Sequence, residues 1–417
     1  MREKRPARRE FLRNGAALAG GFTLSAAAPA LGQQAPAQPP MIRGERQGEI
    51  AYGARSKYVT SARIPHGGRP SPDTFGLTFH VATPLQDQVG VITPSSLHYY
   101  ATTRGAFLPD IDPGQHTLMI HGLVDRPLTF TVDDLKRLPS VTRLHFIECA
   151  GNRASRRAKT VQETHGMTSN AEWTGVLLST LLKECGLKGS AKWFVAEGAE
   201  EVKGASSMPV AKAMDDCMIA YGMNGEAVRQ NGFPLRLMVP GFEGIFHTKW
   251  LQRIKLVDRY YMNYNDFGHL HQGQDKKVAA LAYQIGPKSV ITFPSGEQRL
   301  PGKGFYEIRG LAWSGGGAIK QVEVSTDGGK KWNKAQFQGT PQRMAHCLFT
   351  YAWEWDGNET EIMSRCVDEV GQAQPTREQI AKYWNKTFDQ TFSVPGLDNS
   401  VQPWRIAKDG SVTNGLA

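Results

Sequence analysis

The order of apolar and polar positions divides the chain into two textures. Between about residues 70 and 285, strand-like and helix-like periods mix. HTLMIHGLV (116–124) alternates in steps of two, as a half-buried strand does. Thr131, Val132, Asp133 and Asp134 form a capping box, which predicts a short helix running through Leu138. LHFIEC (144–149) reads as a strand. VLLSTLLKECG (176–186) places Leu178, Leu181, Leu182 and Cys185 on one helical face and stops at Gly186. Asn224-Gly225 predicts a tight hairpin, and FPLRLMVPG (233–241) a buried strand closed by Pro-Gly.

From about residue 286 the periods shorten. SVITFPS, FYEIRGLAWS, AIKQVEVSTDGGKKW, FTYAWEW and EIMSRCVDE are short alternating strands between Gly- and Pro-rich turns, with Asp327-Gly328-Gly329 the strongest turn signal. This is the pattern of an antiparallel sandwich of immunoglobulin-like type. No internal repeat of 20–50 residues is apparent. The fold class expected is therefore α+β: a mixed α/β domain over 66–285, then a β-sandwich over 286–417. Residues 33–65, around QQAPAQPP, read as a linker.

Composition changes this picture little. At 417 residues there is room for two or three domains, and 40% hydrophobic residues exclude wholesale disorder. The formal charge is +10, of which residues 1–32 supply six cations and two acids, a net +4, leaving +6 for the remainder. That excess favours an anionic substrate or an acidic partner, but no Lys/Arg run or RNA-binding signature points to nucleic acid.

The N-terminus carries an address. In ARREFLRNGAALAGGFTLSAAAPALGQ, Arg8 and Arg9 precede Phe11 and Leu12, a weakly apolar stretch, and small residues suited to cleavage near residues 30–32. The stretch is too short and interrupted to span a membrane. Residues 1–32 read as a twin-arginine signal peptide, which exports proteins already folded and places this one in the periplasm. Bacteria need that route most for proteins loaded with a cofactor before export.

The five cysteines are Cys149, Cys185, Cys217, Cys347 and Cys366. An odd number in an exported chain leaves at least one thiol unpaired, and no pair has CxxC spacing, which disfavours zinc knuckles, iron–sulfur clusters and covalent haem. Cys185, Cys217, Cys347 and Cys366 sit in apolar stretches that read as core. Cys149 alone stands at a strand end beside glycine and arginine, where a thiolate is accessible and electrostatically favoured. Spacing alone leaves both chemistry and packing open for it.

The run Cys149-Ala150-Gly151-Asn152-Arg153 resembles the signature of the sulfite oxidase family of molybdenum enzymes. So do NGFPLR (231–236), VPG (239–241), Lys249-Trp250, GLAWSGGG (310–317) and STDGGKKW (325–332). The resemblance runs in the family's order from about residue 74 to the 370s. Within the family, TPLQDQVGVITPSSLHYY, HGLVDRPLTFTVDDLKRLPS and SRCVDEVGQAQPT are most similar to the molybdenum subunits of periplasmic sulfane dehydrogenases, the SoxC type.

The resemblance implies a molybdenum–molybdopterin cofactor, a mixed α/β cofactor domain, and an immunoglobulin-like dimerisation domain that makes a homodimer within a hetero-oligomer. Cys149 is then the metal's thiolate: sulfur-bound molybdenum takes a soft ligand, and one cysteine suffices when a pterin dithiolene supplies two more sulfurs. Gly151 lets the backbone approach the cofactor. Arg236 and Lys249 match the family's cofactor-binding cations, with Thr248 and Trp250 beside Lys249. Glu200 stands where the family usually has an aspartate. Asn231 stands where many members have histidine, keeping a hydrogen bond but no charge switch.

For the substrate, the resemblance implies arginines and a tyrosine that hold an oxyanion. Arg153 and Arg104 match two arginine positions, and Tyr264 is the tyrosine expected, with Tyr260 and Tyr261 as rivals. The neighbouring family arginine is Ala154 here, and YWNKTF offers only Lys386 where a C-terminal arginine is usual. A thinned arginine cluster fits a substrate larger than free sulfite, such as sulfane sulfur on a sulfur-carrier protein. The implied function is sulfite or sulfane oxidation by oxygen-atom transfer. With no CxxCH for haem in this chain and a separate haem domain as the family's other electron route, the resemblance implies a c-type cytochrome partner that takes the electrons. Two alternatives are a periplasmic molybdenum-dependent sulfoxide reductase and a secreted β-sandwich binding protein that holds no metal.

Overall fold

The computed structural model describes residues 56–66, 79–102, 109–200, 205–228, 232–263, 266, 270–272, 279–281, 283–393 and 397–417. The signal-peptide stretch, most of the linker, Arg104, Asn231 and Tyr264 lie outside the described residues. The chain divides at Thr60 into two units, of which Ser61–Ala417 is the larger. Of the first, residues 56–60 are described, with a turn in which the Val59 N–H donates to the Ser56 carbonyl at 2.9 Å.

Among the described residues, two five-stranded sheets dominate the first half of the larger unit, beside a three-stranded sheet (Ile64–Pro65, Phe79–Ala82, Tyr100–Thr102) and a two-stranded one (Leu270–Gln272, Ala279–Leu281). One five-stranded sheet runs in the order Leu128–Thr131, Thr117–Gly122, Leu251–Val257, Trp193–Gly198, Ala205–Pro209. Its central pair, Thr117–Gly122 with Leu251–Val257, is parallel and the others antiparallel. The second sheet runs Glu226–Ala227, Met218–Met223, Thr168–Leu177, Val141–Glu148, with Arg236–Met238 also on Met218–Met223. The expected capping box is present: the Thr131 side chain accepts from the Asp134 N–H and the Asp134 carboxylate accepts from the Thr131 N–H, starting helix Val132–Arg137. Helix Leu178–Cys185 buries Leu178, Leu181, Leu182 and Cys185, and Gly186 ends it at φ 73°. Asn224 and Gly225, at φ 52° and 76°, turn the hairpin that pairs Met223 with Glu226.

The second half is a sandwich. A four-stranded sheet (Lys288–Phe293, Gly304–Trp313, Cys347–Trp355, Gln336–Gln338) faces a five-stranded one (Asn333–Lys334, Ile319–Ser325, Thr360–Asp368, Pro403–Ile406, Val412–Asn414). Alternate residues point inward, so Ile308, Ala312 and Phe349 from one sheet share a core with Val322, Ile362 and Trp404 from the other.

The strand Val141–Glu148 carries the two halves' contact. Its first residues are half-buried or exposed, but the last four are all buried. Ile147 packs in a core of the first half, whereas Phe146 belongs to the sandwich core and donates its N–H to the Met344 carbonyl at 3.0 Å. A strand covered on both faces reads as a continuous apolar run, which is why LHFI does not alternate. Cys185, Cys217, Cys347 and Cys366 are buried and free, as packing residues should be.

Candidate functional site

The loop after Glu148 is held at its backbone. The Cys149 N–H donates to the Met167 carbonyl at 3.0 Å, and the Cys149 carbonyl accepts from the Asn152 N–H at 2.9 Å. Both peptide groups of Cys149 are thereby fixed, and its half-buried side chain packs against Tyr99, Ile147, Met167 and Trp173. The sequence expects a thiolate favoured by a neighbouring cation, and the structure corrects this. Burial pushes the Cys149 thiol up to about 12, helped by Glu243 and Glu148 and opposed by the Gly151 N–H and Lys249. A metal must displace the proton here, because the protein alone favours the thiol.

Lys249, within electrostatic reach of Cys149, donates from Nζ to the Ala101 carbonyl at 2.7 Å and lies against the rings of Tyr100 (4.5 Å) and Trp250 (4.8 Å). Trp250 adopts φ 50°, a strained value for an aromatic residue, and is buried. The Ala199 N–H donates to the Trp250 carbonyl at 2.8 Å, which brings Glu200 beside this turn. A Cβ at Gly198 would stand 1.9 Å from Glu200 Oε2 and 2.6 Å from the Lys249 carbonyl, so only glycine fits. Gly232, at φ 123°, does the same for the cations: a Cβ there would lie 3.0 Å from Arg236 Cβ and 3.2 Å from Lys249 Cα. Glu200, Arg236, Thr248, Lys249 and Trp250 are thus one cluster.

Arg236 is buried with its guanidinium 5.1 Å from the Trp173 ring centre, and Nη2 donates to the His247 carbonyl at 3.4 Å. Burial lowers its pKa to about 10, so it stays a cation. Its Nε and the Thr248 hydroxyl are buried without a hydrogen-bond partner among the described residues. An unsatisfied buried donor costs about 1–3 kcal/mol, and two in one cradle leave room for a bound polar group to pair with them. A pterin with its phosphate fits that donor set. Among the described residues no cluster of three or more His, Cys, Asp or Glu side chains could hold a metal ion. A metal on Cys149 would take its other ligands from a cofactor, as a dithiolene allows.

Several residues of the pocket were not legible in the sequence. Tyr99 is buried close enough to Cys149 that burial and the thiol both push its hydroxyl well above 10. His98 stacks on Tyr99 at 5.3 Å, and burial lowers it to about 3. His247 is held neutral by burial and Arg236, with Nδ1 accepting from the Val239 N–H and Nε2–H donating to the Phe242 carbonyl. Of the two rival tyrosines, Tyr260 donates to Asp266 and meets Trp193 edge-on at 5.3 Å, while Tyr261 is 44% exposed beside Lys255. Arg153 is half-buried directly after the loop, its N–H donating to the Gly151 carbonyl at 3.0 Å.

Comparison with known proteins agrees with this chemistry. The family described as "Oxidoreductase molybdopterin binding domain" matches residues 105–265, and "Mo-co oxidoreductase dimerisation domain" matches 279–387. Mitochondrial sulfite oxidase of Mus musculus is 30% identical over 341 residues, which cover 71% of this chain and 59% of that protein. Nitrate reductase [NADH] of Ulva prolifera is 30% identical, covering 73% of this chain and 41% of that protein. The chain thus spans well under two thirds of these relatives' own length. A crystal structure of the sulfane dehydrogenase SoxCD from Paracoccus pantotrophus contains a chain 34% identical, with a TM-score of 0.76, covering 89% of this chain and 97% of that one. A cysteine loop over a cation cradle, both domain matches and a neighbour similar over nearly its whole length lead to one conclusion: this chain belongs to the sulfite oxidase family of molybdopterin oxidoreductases.

Proposed function

We propose that the chain oxidises a reduced sulfur compound, as a sulfite or sulfane dehydrogenase, and hands the electrons to a c-type cytochrome. The observation that carries this reading is the cradle itself: Cys149 within electrostatic reach of Lys249, with Arg236 Nε and the Thr248 hydroxyl buried and without a partner among the described residues. When bound, molybdenum–molybdopterin supplies two-electron oxygen-atom transfer at sulfur. Cys149 would ligate the metal, and Arg236, Thr248, Lys249 and Trp250 would hold the pterin and its phosphate. Glu200 and Asn231 would complete the cradle. Tyr99 keeps its proton beside Cys149, so it serves as a neutral donor facing an oxyanion. Arg153, with Arg104 and Tyr264, would hold the anionic part of the substrate.

Ala154, in place of a second cation, favours a sulfane sulfur presented by a carrier protein over free sulfite. The likeness to a sulfane dehydrogenase supports the same choice. We assign residues 66–285 to cofactor binding, 286–417 to dimerisation into a homodimer, and 1–32 to twin-arginine export to the periplasm. No helix among the described residues is long and apolar enough to cross a membrane. The test is molybdenum analysis of the purified protein, with turnover on sulfite and on a carrier-bound sulfane using cytochrome c as acceptor. Stoichiometric metal and faster turnover of the carrier-bound substrate are expected. A metal-free protein defeats the reading, and a preference for free sulfite defeats its substrate assignment.

A further inference from the structure

Directly behind the cysteine loop lies a charged cluster that neither half of the protein could form alone. Glu148, the last residue of strand Val141–Glu148, is 1% exposed. It pairs with Lys288, the first residue of sandwich strand Lys288–Phe293, itself 2% exposed. The other Glu148 oxygen accepts from the Trp313 indole N–H, and Trp313 lies opposite Lys288 in the sandwich sheet. Both partners that the sandwich sends to Glu148 thus come from one register position.

The cluster ends on the metal loop. Asn152 Nδ2 donates to Glu148 Oε1 at 2.9 Å, and Lys288 Nζ donates to the Asn152 carbonyl at 2.9 Å. The Asn152 side-chain oxygen accepts from the Met167 N–H at 3.0 Å, while its own N–H donates to the Cys149 carbonyl. Met167 in turn accepts from the Cys149 N–H. Each polar group of Asn152 is engaged, and three of its partners also hold Cys149 or carry the charge behind it: Met167, Glu148 and Lys288.

Adhesion between the halves does not explain such an arrangement. A buried ion pair adds little net stability relative to apolar residues of the same volume, since desolvating both charges offsets their attraction. What the pair supplies is direction: a carboxylate and an ammonium fix the Asn152 side chain and carbonyl at once, as no apolar contact can. We propose that Glu148 and Lys288 are positioning residues for the Cys149 loop, so that the sandwich domain is part of the metal site rather than only a dimerisation module. This rests on the reading that Cys149 ligates the metal. Partners behind a ligand typically change metal retention about 10- to 100-fold when lost.

The test uses the full-length protein in four forms: wild type, Lys288→Met, Glu148→Gln, and the double variant Glu148→Gln/Lys288→Met. Ser289→Ala serves as a control, because Ser289 is buried on the same strand but bonds to Gln374 and Ser364, away from the loop. Three readouts are compared: molybdenum retained after gel filtration, the sulfur-to-molybdenum charge-transfer absorption of the loaded protein, and amide hydrogen exchange of residues 149–153. Each single variant strands a buried charge. Both are expected to lose metal about 10- to 100-fold faster, to shift the absorption band, and to speed exchange across 149–153 beyond any global change. The double variant removes both charges and is expected to return part of each signal. Ser289→Ala should lower the melting temperature while leaving the band and the loop's exchange as in wild type. If the single variants behave like Ser289→Ala, the cluster is merely structural and the proposal is overturned. Should Lys288→Met fail to fold, Glu148→Gln, which keeps the shape of the side chain, decides alone. A wild-type protein without molybdenum defeats the functional reading, and loop exchange in the metal-free variants then decides the positioning role by itself.

Discussion

The cofactor cradle and the sandwich both bury polar side chains, and Arg236 in one and Gln374 in the other are satisfied to very different degrees. In the sandwich, Gln374 is closed on every side. Its oxygen accepts from the Ser289 N–H at 2.9 Å and hydroxyl at 2.7 Å, and its amide nitrogen donates to the Ser289 and Ser400 carbonyls. In the cradle, Arg236 Nε and the Thr248 hydroxyl find no such partner among the described residues. A satisfied buried group orders the fold, while an unsatisfied one lowers stability until something binds. The contrast is between these particular residues, since Arg377 Nε and Nη1, also in the second half, are buried without a hydrogen-bond partner among the described residues.

The strongest challenge to that contrast is Cys149→Ser. Turnover and molybdenum content should fall by more than the ~100-fold that losing an outer partner of a ligand costs. The melting temperature of the cofactor-free chain should barely move, because the loop's backbone bonds remain. Metal analysis and steady-state rates on the variant check this, and normal turnover would end the ligand assignment.

A paired experiment sharpens the comparison. Arg236→Met should weaken cofactor retention by about 1.5–3 kcal/mol, roughly 10- to 100-fold, while leaving the cofactor-free chain as stable as before or more so. Gln374→Leu should do the reverse. It leaves the serine and carbonyl partners unpaired and lowers stability by about 1–3 kcal/mol, but pterin per folded chain stays constant. Urea unfolding with and without cofactor, alongside pterin fluorescence, separates the two patterns.

Acid should affect both regions through their histidines. His98, His165 and His346 are each held neutral by burial, at about 3 against an ordinary 6.5. The unfolded chain therefore binds more protons than the fold below about pH 6.5. Stability is fully present above that value and falls with pH, by up to ~1.4 kcal/mol per pH unit for each histidine, until about pH 3. His346 lies against Trp313 of the sandwich at 4.7 Å, and His98 stacks on Tyr99 in the pocket. Replacing either by glutamine should flatten the acid limb of a urea-unfolding series by about one proton. An unchanged slope would show that the histidine is already charged in the fold.

Salt should have the smallest effect. With residues 1–32 removed the chain has a formal charge of +6, so approach of an acidic acceptor or anionic substrate is steered. Turnover with a cytochrome c acceptor should decline as the screening length shortens from ~10 Å at 0.1 M salt to ~3 Å at 1 M. Rates independent of salt would remove steering from the account.

What the sequence determined by itself was everything written in short-range pattern. The capping box at Thr131, the helix face of Leu178, Leu181, Leu182 and Cys185, and the Asn224-Gly225 turn are local, because each depends on residues a few positions apart. The cysteine loop and the cations at 236 and 249 were legible too, since the family's chemistry keeps them in recognisable runs. Only the tertiary structure brought Tyr99 and His247 to the pocket and showed that burial outweighs the nearby cation at the Cys149 thiol. The same holds for Glu148 and Lys288, 140 positions apart, which nothing in the neighbourhood of either residue pairs. Desolvation and ion pairing depend on what surrounds a group in space, and the chain's order records that only where the neighbours are also close in sequence.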